Sequence, residues 1–199
     1  RLRLELRKDL KSMVREMGLT ALHVTHDQDE ALEMADRIAV IRRGKIVQVG
    51  TPKEIFENPK TPFVANFVGR SNMIYGKVTA RADGVATVTH DSGAPFSVLD
   101  EGAEVGTEAL VAVKIGNTRI IQEPGRGFFD GTVDKVLYEG ATITVEVDAG
   151  PLGIVSAKLP NRKYDDFMEG DEVSIDWSHA KARAFPSDRE SAADEMRGN

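Results

Sequence analysis

Apolar residues recur at helical spacing at the start of the chain, with charged residues between them. The recurring positions are Leu2, Leu6, Leu10, Met13 and Met17. Intervals of three and four residues place these side chains on one face of a helix. Gly18 follows, at a position where glycine commonly ends a helix. The pattern therefore predicts an amphipathic helix over residues 1–17.

A compact series of elements is predicted between residues 20 and 50. The apolar and β-branched run from Ala21 to Thr25 predicts a buried strand. Asp27 and Glu30 have the spacing of a capping box, which predicts a helix over residues 28–35. Two apolar runs, 38–41 and 46–49, then flank a short loop with a glycine, as in a β-hairpin. His26 is thus placed where a buried strand passes into a helix, and open α/β sheets bind ligands at such strand ends.

Two short helices are predicted after the hairpin. Thr51-Pro52-Lys53-Glu54 combines a threonine cap, a proline at the first helical position and a glutamate at the third. Thr61-Pro62 begins the next helix, and Gly69 ends it. We interpret the pair as the end of a domain, with a boundary near residues 69–72.

From Arg70 onward, short alternating or β-branched segments are separated by Gly, Asp and Pro. They are 73–79, 85–89, 96–99, 109–114, 132–137, 142–147, 154–158 and 173–177. This rhythm predicts an all-β barrel or sandwich. The last residues, 187–199, are polar and without an apolar period, so we predict a disordered tail.

A weak repeat runs through the β region. Gly76-Lys77-Val78 and Gly131-Thr132-Val133 are each followed by a second glycine and an alternating strand. Downstream, Glu-Gly at 101–102 corresponds to Glu-Gly at 169–170. The pattern predicts two superposable halves in which Val78 matches Val133 and Val105 matches Val173. Residues 150–166 have no counterpart and are predicted to lie outside the shared core.

Composition narrows the possible functions. The chain has 199 residues, 41% of them hydrophobic and 29% charged, a net charge of −6 and no cysteine. It is long enough for a core, and its charge favours neither nucleic acid nor anionic lipid as a partner. Disulfides and thiolate metal sites are excluded. No apolar run approaches the roughly 18 residues of a membrane span.

The segment VTHDQDEALEMADRIAVIRRGKIVQVGTP resembles the switch-histidine region of the ATP-binding subunits of ABC importers for sugars, polyamines or iron. The similarity continues through Asn72-Met73, and the β region resembles the transport-associated OB (TOBE) domain of that family. The resemblance implies an α+β chain. Residues 1–69 would be the C-terminal part of an α/β ATPase domain, and residues 70–186 an OB-like regulatory barrel.

The resemblance also implies chemistry and partners for the parent protein. That protein would use ATP and Mg²⁺, form a homodimer, and work with membrane permeases and a solute-binding protein on the cytoplasmic face of the membrane. His26 matches the histidine that contacts the ATP γ-phosphate in this family, and it is the candidate catalytic and ATP-binding residue. An imidazole suits this role because it can donate a hydrogen bond to an anionic oxygen.

The motifs that grip ATP are not in this sequence. A phosphate-binding loop needs Gly-x-x-x-x-Gly-Lys-Ser/Thr, and Gly-Lys occurs only at Gly44-Lys45 and Gly76-Lys77, without the rest of the pattern. The Leu-Ser-Gly-Gly-Gln signature and an acidic Walker B strand are also missing. We therefore expect a fragment that does not hydrolyse ATP by itself.

Alternatives come from the same residues. His23 and His26 form His-x-x-His near acidic residues, but positions three apart on a strand face opposite sides, so we expect no metal site. The OB-like region could bind a small ligand or oxyanion, or nucleic acid. Nucleic-acid binding needs basic grooves with aromatic platforms for base stacking, and the strands of this region show no such pattern. We expect the aromatic residues to lie in the core instead, namely Phe96, Phe128, Phe129 and Trp177. Lys114-Ile115-Gly116 replaces the family's usual Arg-Pro-Glu, so regulatory contacts from that strand are not carried over.

Overall fold

The computed structural model of this chain describes residues 2–101 and 103–187. Its contacts separate two compact units, with the division between Val64 and Ala65. The predicted change of domain near residues 69–72 lies a few residues farther along the chain and stays a prediction. Of the predicted tail, all but Ser187 lies outside the described residues.

The first unit consists of short helices and one hairpin. Its elements are α1 (Leu2–Glu16), α2 (Gln28–Met34), β1 (Ile38–Arg42), β2 (Lys45–Gly50) and α3 (Pro52–Glu57), followed by the start of α4 (Pro62–Phe67). The hairpin prediction is confirmed, since β1 and β2 pair antiparallel. The α3 capping box is also confirmed, because the Glu54 amide donates to Thr51 Oγ1 and the Thr51 amide donates to the Glu54 carboxylate.

The predicted buried strand at residues 21–25 is wrong for this chain. The segment has no regular secondary structure, and Leu22 and Val24 are 95% and 87% exposed. The apolar face of α1 is exposed as well, at Leu6, Leu10 and Met13. A β-branched run becomes a buried strand only when neighbouring strands pair with it and cover it. No described residue pairs with this segment, so an α/β ATPase layer stays a prediction.

The second unit is mostly β, as predicted. Its described strands are β3 (Ser71–Ala82), β4 (Val85–Thr89), β5 (Pro95–Leu99), β6 (Glu108–Lys114), β7 (Thr118–Ile121), β8 (Phe129–Tyr138), β9 (Thr142–Asp148), β10 (Ile154–Pro160), β11 (Glu172–Trp177) and β12 (Ala182–Pro186). The eight predicted strands all fall within these. The sequence pattern missed β7 and β12, each of which follows a short 3₁₀ turn.

These strands form two antiparallel sheets of the same order. One runs β5-β4-β3-β6-β12 and the other β10-β9-β8-β11-β7. The fifth strands are exchanged: β7 follows β6 in the chain but pairs with β11, whereas β12 follows β11 but pairs with β6. In each sheet the two edge strands approach each other, β5 with β12 and β10 with β7. Each sheet therefore resembles the five-stranded, partly open barrel of an OB fold.

The register confirms that Val78 and Val133 are equivalent. Val78 pairs with Val88 and Val133 pairs with Val147, and a bulge follows directly in both strands. The amide of Gly106 donates to the carbonyl of Val78, as the amide of Gly170 does to that of Val133.

Other parts of the predicted repeat are wrong. Since Gly106 matches Gly170, the counterpart of Val173 is Ala109 and not Val105, which is 59% exposed. Gly102, from the predicted Glu-Gly match, lies outside the described residues. Residues 150–166 were expected outside the shared core, yet they contain β10, which takes the place of β5 and buries Val155 and Ala157. The short 3₁₀ turns on either side of β10 have no counterpart among the described residues of the first half.

One hydrophobic core joins the two sheets. Phe96, Phe129 and Trp177 are buried in it, and the Trp177 ring lies 5.5 Å from Phe96 and 5.9 Å from Phe129 between centroids. Phe128 packs against this cluster while only partly buried. The indole nitrogen of Trp177 donates to the Ser97 carbonyl at 3.0 Å, so its polar atom is satisfied.

Candidate functional site

His26 lies at a bend directly before α2, where local hydrogen bonds fix the backbone. Asp27 is the N-cap, and its carboxylate accepts the Glu30 amide at 3.0 Å. Thr25 Oγ1 accepts the Asp27 amide at 3.0 Å and donates to the Glu30 carboxylate at 2.6 Å. The reciprocal bond of the predicted capping box is absent, because the Glu30 carboxylate is directed to other partners. The bend is thus held by residues on both sides of His26.

Arg7 connects α1 to this bend. Its guanidinium lies 2.8 Å from an Asp27 carboxylate oxygen and 3.3 Å from one of Glu30. The Glu30 amide, followed by the Arg7 side chain, holds the pKa of Asp27 below its ordinary value. Hydrogen bonds from Thr25 and His23 likewise lower the pKa of Glu30. Both carboxylates are therefore stabilised as anions, and their negative charge lies at the positive end of the α2 dipole.

The two histidines of the His-x-x-His pattern have different surroundings. His23 Nε2 lies 3.3 Å from a Glu30 carboxylate oxygen. The His26 side chain is exposed and makes no hydrogen bond to the rest of the described chain. Within residues 2–101 and 103–187, no three His, Asp or Glu side chains are grouped so as to hold a metal ion. His26 is therefore the histidine available to a ligand.

A cavity of about 550 Å³ opens on the second unit. Three carboxylates line it, from Asp130, Asp148 and Glu172. Asp130 accepts hydrogen bonds from Ser174 Oγ and from the Gly125 amide, which lower its pKa below the ordinary value. Asp148 accepts the Gly150 amide at 3.0 Å. The negative lining opposes the binding of an oxyanion here.

Sequence reasoning missed the roles of two residues in the second unit. Asn72 lies in β3, where its buried carboxamide hydrogen-bonds to Ser156 and Thr118. Lys114 ends β6, and its ammonium donates to main-chain carbonyls at the end of α4. The available signal was a polar residue within a strand in one case and a lysine after an apolar strand in the other. Neither signal identifies a partner 45 to 84 positions away.

Comparison with known proteins agrees with the architecture of the second unit. Residues 108–185 match the TOBE domain family. In fold, the chain is similar to the cytoplasmic molybdate-binding protein ModG in a molybdate-bound form, with a TM-score of 0.52 and 12% identity. That similarity covers 58% of this chain and 96% of the other. The fold therefore defines a protein with a TOBE-type, OB-like domain.

Sequence relatives extend the similarity to the first unit. The chain is 35% identical over 179 residues to the spermidine/putrescine import ATP-binding protein PotA of Borreliella afzelii, covering 88% of this chain and 50% of the relative. It is 33% identical over 194 residues to the protein of that name from Methylococcus capsulatus, covering 95% and 50%. Together, the TOBE match and these relatives support a fragment similar to the TOBE-containing ATP-binding subunits of ABC importers. It spans about half the length of the curated relatives that it matches.

Among the described residues, no helix is both long and apolar enough to cross a membrane.

Proposed function

We propose that this chain is the C-terminal part of the ATP-binding subunit of an ABC importer and contributes the switch histidine and a regulatory domain to it. Residues 1–69 would complete the ATPase domain, residues 70–186 would form the regulatory barrel, and residues 187–199 would be a disordered tail. The relatives are named for spermidine and putrescine import, which favours a polyamine over a sugar or iron as the solute.

The observation that carries this proposal is the apolar surface of the first unit. Leu22 and Val24 are almost fully exposed, and Leu6, Leu10 and Met13 are about half exposed. Burying one such side chain is worth about 1.5–3 kcal/mol, so leaving several in water is unfavourable. Exposed apolar side chains on one helix face and on one short segment are typical of surfaces that another part of a protein covers. The remaining half of an ATPase domain would supply that cover.

His26 would act on ATP in the parent protein. Its imidazole is exposed on a backbone held by Thr25, Asp27 and Glu30, so it can donate a hydrogen bond to a γ-phosphate oxygen and orient the attacking water. Apart from this contact, ATP and Mg²⁺ would be held by residues outside this sequence. The parent would be a homodimer bound to permease subunits on the cytoplasmic side of the membrane and served by a solute-binding protein.

The second candidate is a small-ligand sensor formed by the TOBE-type domain. It is supported by the fold shared with a molybdate-binding protein. The carboxylates around the cavity favour a cation over an oxyanion as the ligand. Titration calorimetry of this chain with putrescine and with molybdate would separate the two ligand classes.

A chimera tests the ATPase assignment. The part of the Borreliella afzelii relative that this chain does not cover is joined to this chain, and phosphate release is measured at millimolar ATP. We expect the chimera to hydrolyse ATP, and His26→Ala to reduce hydrolysis about a hundredfold while ATP binding persists, the scale of a lost acid-base or positioning group.

His23→Ala is the matched control, because the His23 imidazole contacts the Glu30 carboxylate. It should leave hydrolysis within about twofold of the unsubstituted chimera, since a group that does not act in the reaction contributes little to its rate. If His26→Ala abolished ATP binding, or if both variants lost activity equally, the assignment of His26 to hydrolysis would be wrong.

A further inference from the structure

The side chain of Lys114 is directed at the end of a helix. Lys114 is the last residue of β6, and its ammonium donates to the carbonyl oxygens of Ala65 at 2.5 Å, Gly69 at 2.8 Å and Val68. These carbonyls belong to the last turn of α4 and the residues directly after it. The hydroxyl of Ser71 also donates to the Ala65 carbonyl, at 2.8 Å. Lys114 and Ser71, both in strands of the barrel, thus donate hydrogen bonds to main-chain carbonyls at the end of α4.

The end of a helix needs such partners. Its last carbonyls have no amide to pair with inside the helix, and they form the negative end of the helix dipole. The chain turns away at Gly69 with φ +73°, a conformation that favours glycine. A hydrogen-bond donor at this position therefore supplies the partners that these carbonyls lack within the helix.

The same segment packs on the barrel. Ala65 is buried in a small cluster with Ala112 of β6 and Phe185 of β12, and Met73 of β3 packs against it. This contact is small, because it involves two alanines and one aromatic ring. The hydrogen bonds of Lys114 therefore add to a limited apolar contact.

We propose that Lys114 is a latch that fixes residues 65–70 to the barrel through the hydrogen bonds of its amino group. Three carbonyls converge on one nitrogen, and a lysine nitrogen is a compact donor that can face all of them. Methionine has a long, flexible side chain without such a donor, so replacing Lys114 with methionine removes the hydrogen bonds and keeps an apolar stem.

Local proteolysis tests the latch on the whole chain. Arg70 is exposed directly after the latched segment, and Arg126 is exposed in a loop far from it along the chain. An arginine-specific protease is applied at limiting concentration, and mass spectrometry follows cleavage after each of these residues. Cleavage after Arg70 requires local opening, so its rate reports how firmly the segment is held.

Lys114→Met should raise the rate of cleavage after Arg70 by about tenfold or more, as expected for loss of hydrogen bonds to a charged group. Cleavage after Arg126 should stay unchanged. Lys77→Met is the control, because Lys77 is an exposed lysine of the neighbouring strand β3, and it should behave as the unsubstituted chain. Lys114→Gln shortens the side chain and leaves a single amide nitrogen as donor, so it should also raise cleavage after Arg70.

Three results would overturn the inference. One is an unchanged rate at Arg70 in Lys114→Met, and another is an equal rise at Arg70 and Arg126, which would indicate a general loss of stability. The third is full protection of Arg70 in Lys114→Gln, the variant that carries the test if Lys114→Met does not fold. The inference does not depend on the proposed function.

Discussion

The carboxamide of Asn72 forms a closed pair of hydrogen bonds with the main chain of Ser156, 84 positions away. Asn72 Nδ2 donates to the Ser156 carbonyl at 2.8 Å, and the Ser156 amide donates to Asn72 Oδ1 at 2.9 Å. Ser156 lies in β10, an edge strand of its sheet. The Asn72 side chain thus makes the two main-chain hydrogen bonds that a neighbouring strand would make with β10. Because Asn72 lies in β3, these bonds join the two sheets.

Loss of this pair should destabilise the second unit. Asn72→Ala leaves the buried amide and carbonyl of Ser156 without partners, and also removes the bond from Asn72 Nδ2 to Thr118 Oγ1 at 2.9 Å. We expect the free energy of unfolding to fall by about 2–4 kcal/mol, since each buried unpaired group costs about 1–3 kcal/mol. Urea unfolding monitored by Trp177, the one tryptophan of the chain, measures this change.

Asn161→Ala is the matched control for Asn72. Asn161 is exposed and donates to the Gly140 carbonyl at 2.8 Å, so its loss should cost less than about 1 kcal/mol. Asn72→Asp should be at least as harmful as Asn72→Ala, because a carboxylate cannot donate to the Ser156 carbonyl. Similar losses for Asn72→Ala and Asn161→Ala would refute a structural role for the pair.

Equivalent glycines in the two halves should be equally intolerant of a side chain. A Cβ on Gly76 would lie 2.6 Å from Val88 Cγ1 and 2.8 Å from the Thr89 carbonyl oxygen. A Cβ on Gly131 would lie 2.7 Å from Val147 Cγ1 and 2.6 Å from the Asp148 carbonyl oxygen. We expect Gly76→Ala and Gly131→Ala each to lower the free energy of unfolding by about 1–3 kcal/mol, the cost of overpacking.

Gly116→Ala provides the control for these two variants, because a Cβ there would meet no atom within 4 Å. It should change stability by less than about 1 kcal/mol, in either direction. Thermal unfolding of the three variants measures the comparison. A large loss for one crowded glycine and none for the other would contradict the structural equivalence of the halves.

Stability should rise with pH in the range where Lys114 titrates. Burial lowers the pKa of Lys114 to about 8, from 10.5. Between these values the unfolded chain holds a proton that the folded chain has released, so unfolding takes up a proton and the free energy of unfolding increases with pH. The contribution is constant below pH 8, and its rise should reach about 1–3 kcal/mol by pH 10.5.

The difference between the unsubstituted chain and Lys114→Met isolates this contribution from other titrating groups. Urea unfolding at several pH values between 7 and 10.5 gives the difference directly. A difference that decreases with pH would mean that the carbonyl acceptors of Lys114 raise its pKa more than burial lowers it.

The chain by itself should not hydrolyse ATP. Affinity for triphosphate comes mainly from a phosphate-binding loop, its lysine and bound Mg²⁺, and the sequence has no such loop. Phosphate release at millimolar ATP should not exceed that of a boiled sample. A turnover near one per second, within the usual range of enzymes, would refute the proposal that this chain is an incomplete ATPase.

Local features of the fold were predictable because they depend on neighbouring residues. The alternation of Val85–Thr89 predicts β4 to the residue, and Thr51 with Glu54 predicts the cap of α3. The histidine at the start of α2 also follows from local signals, because Asp27 caps that helix as expected. Each of these features is stabilised by contacts within a few positions along the chain.

Signals between neighbouring residues were sufficient to predict the helix caps, the hairpin, most of the strands and the equivalence of Gly76-x-Val78 and Gly131-x-Val133. Contacts between distant residues exchange β7 and β12 between the sheets, pair Asn72 with the edge strand β10 and bring Lys114 to the end of α4. Residues 21–25 form no strand, because no described strand pairs with them. Strand pairing and burial depend on partners distant in the chain, whereas propensity and capping act between near neighbours.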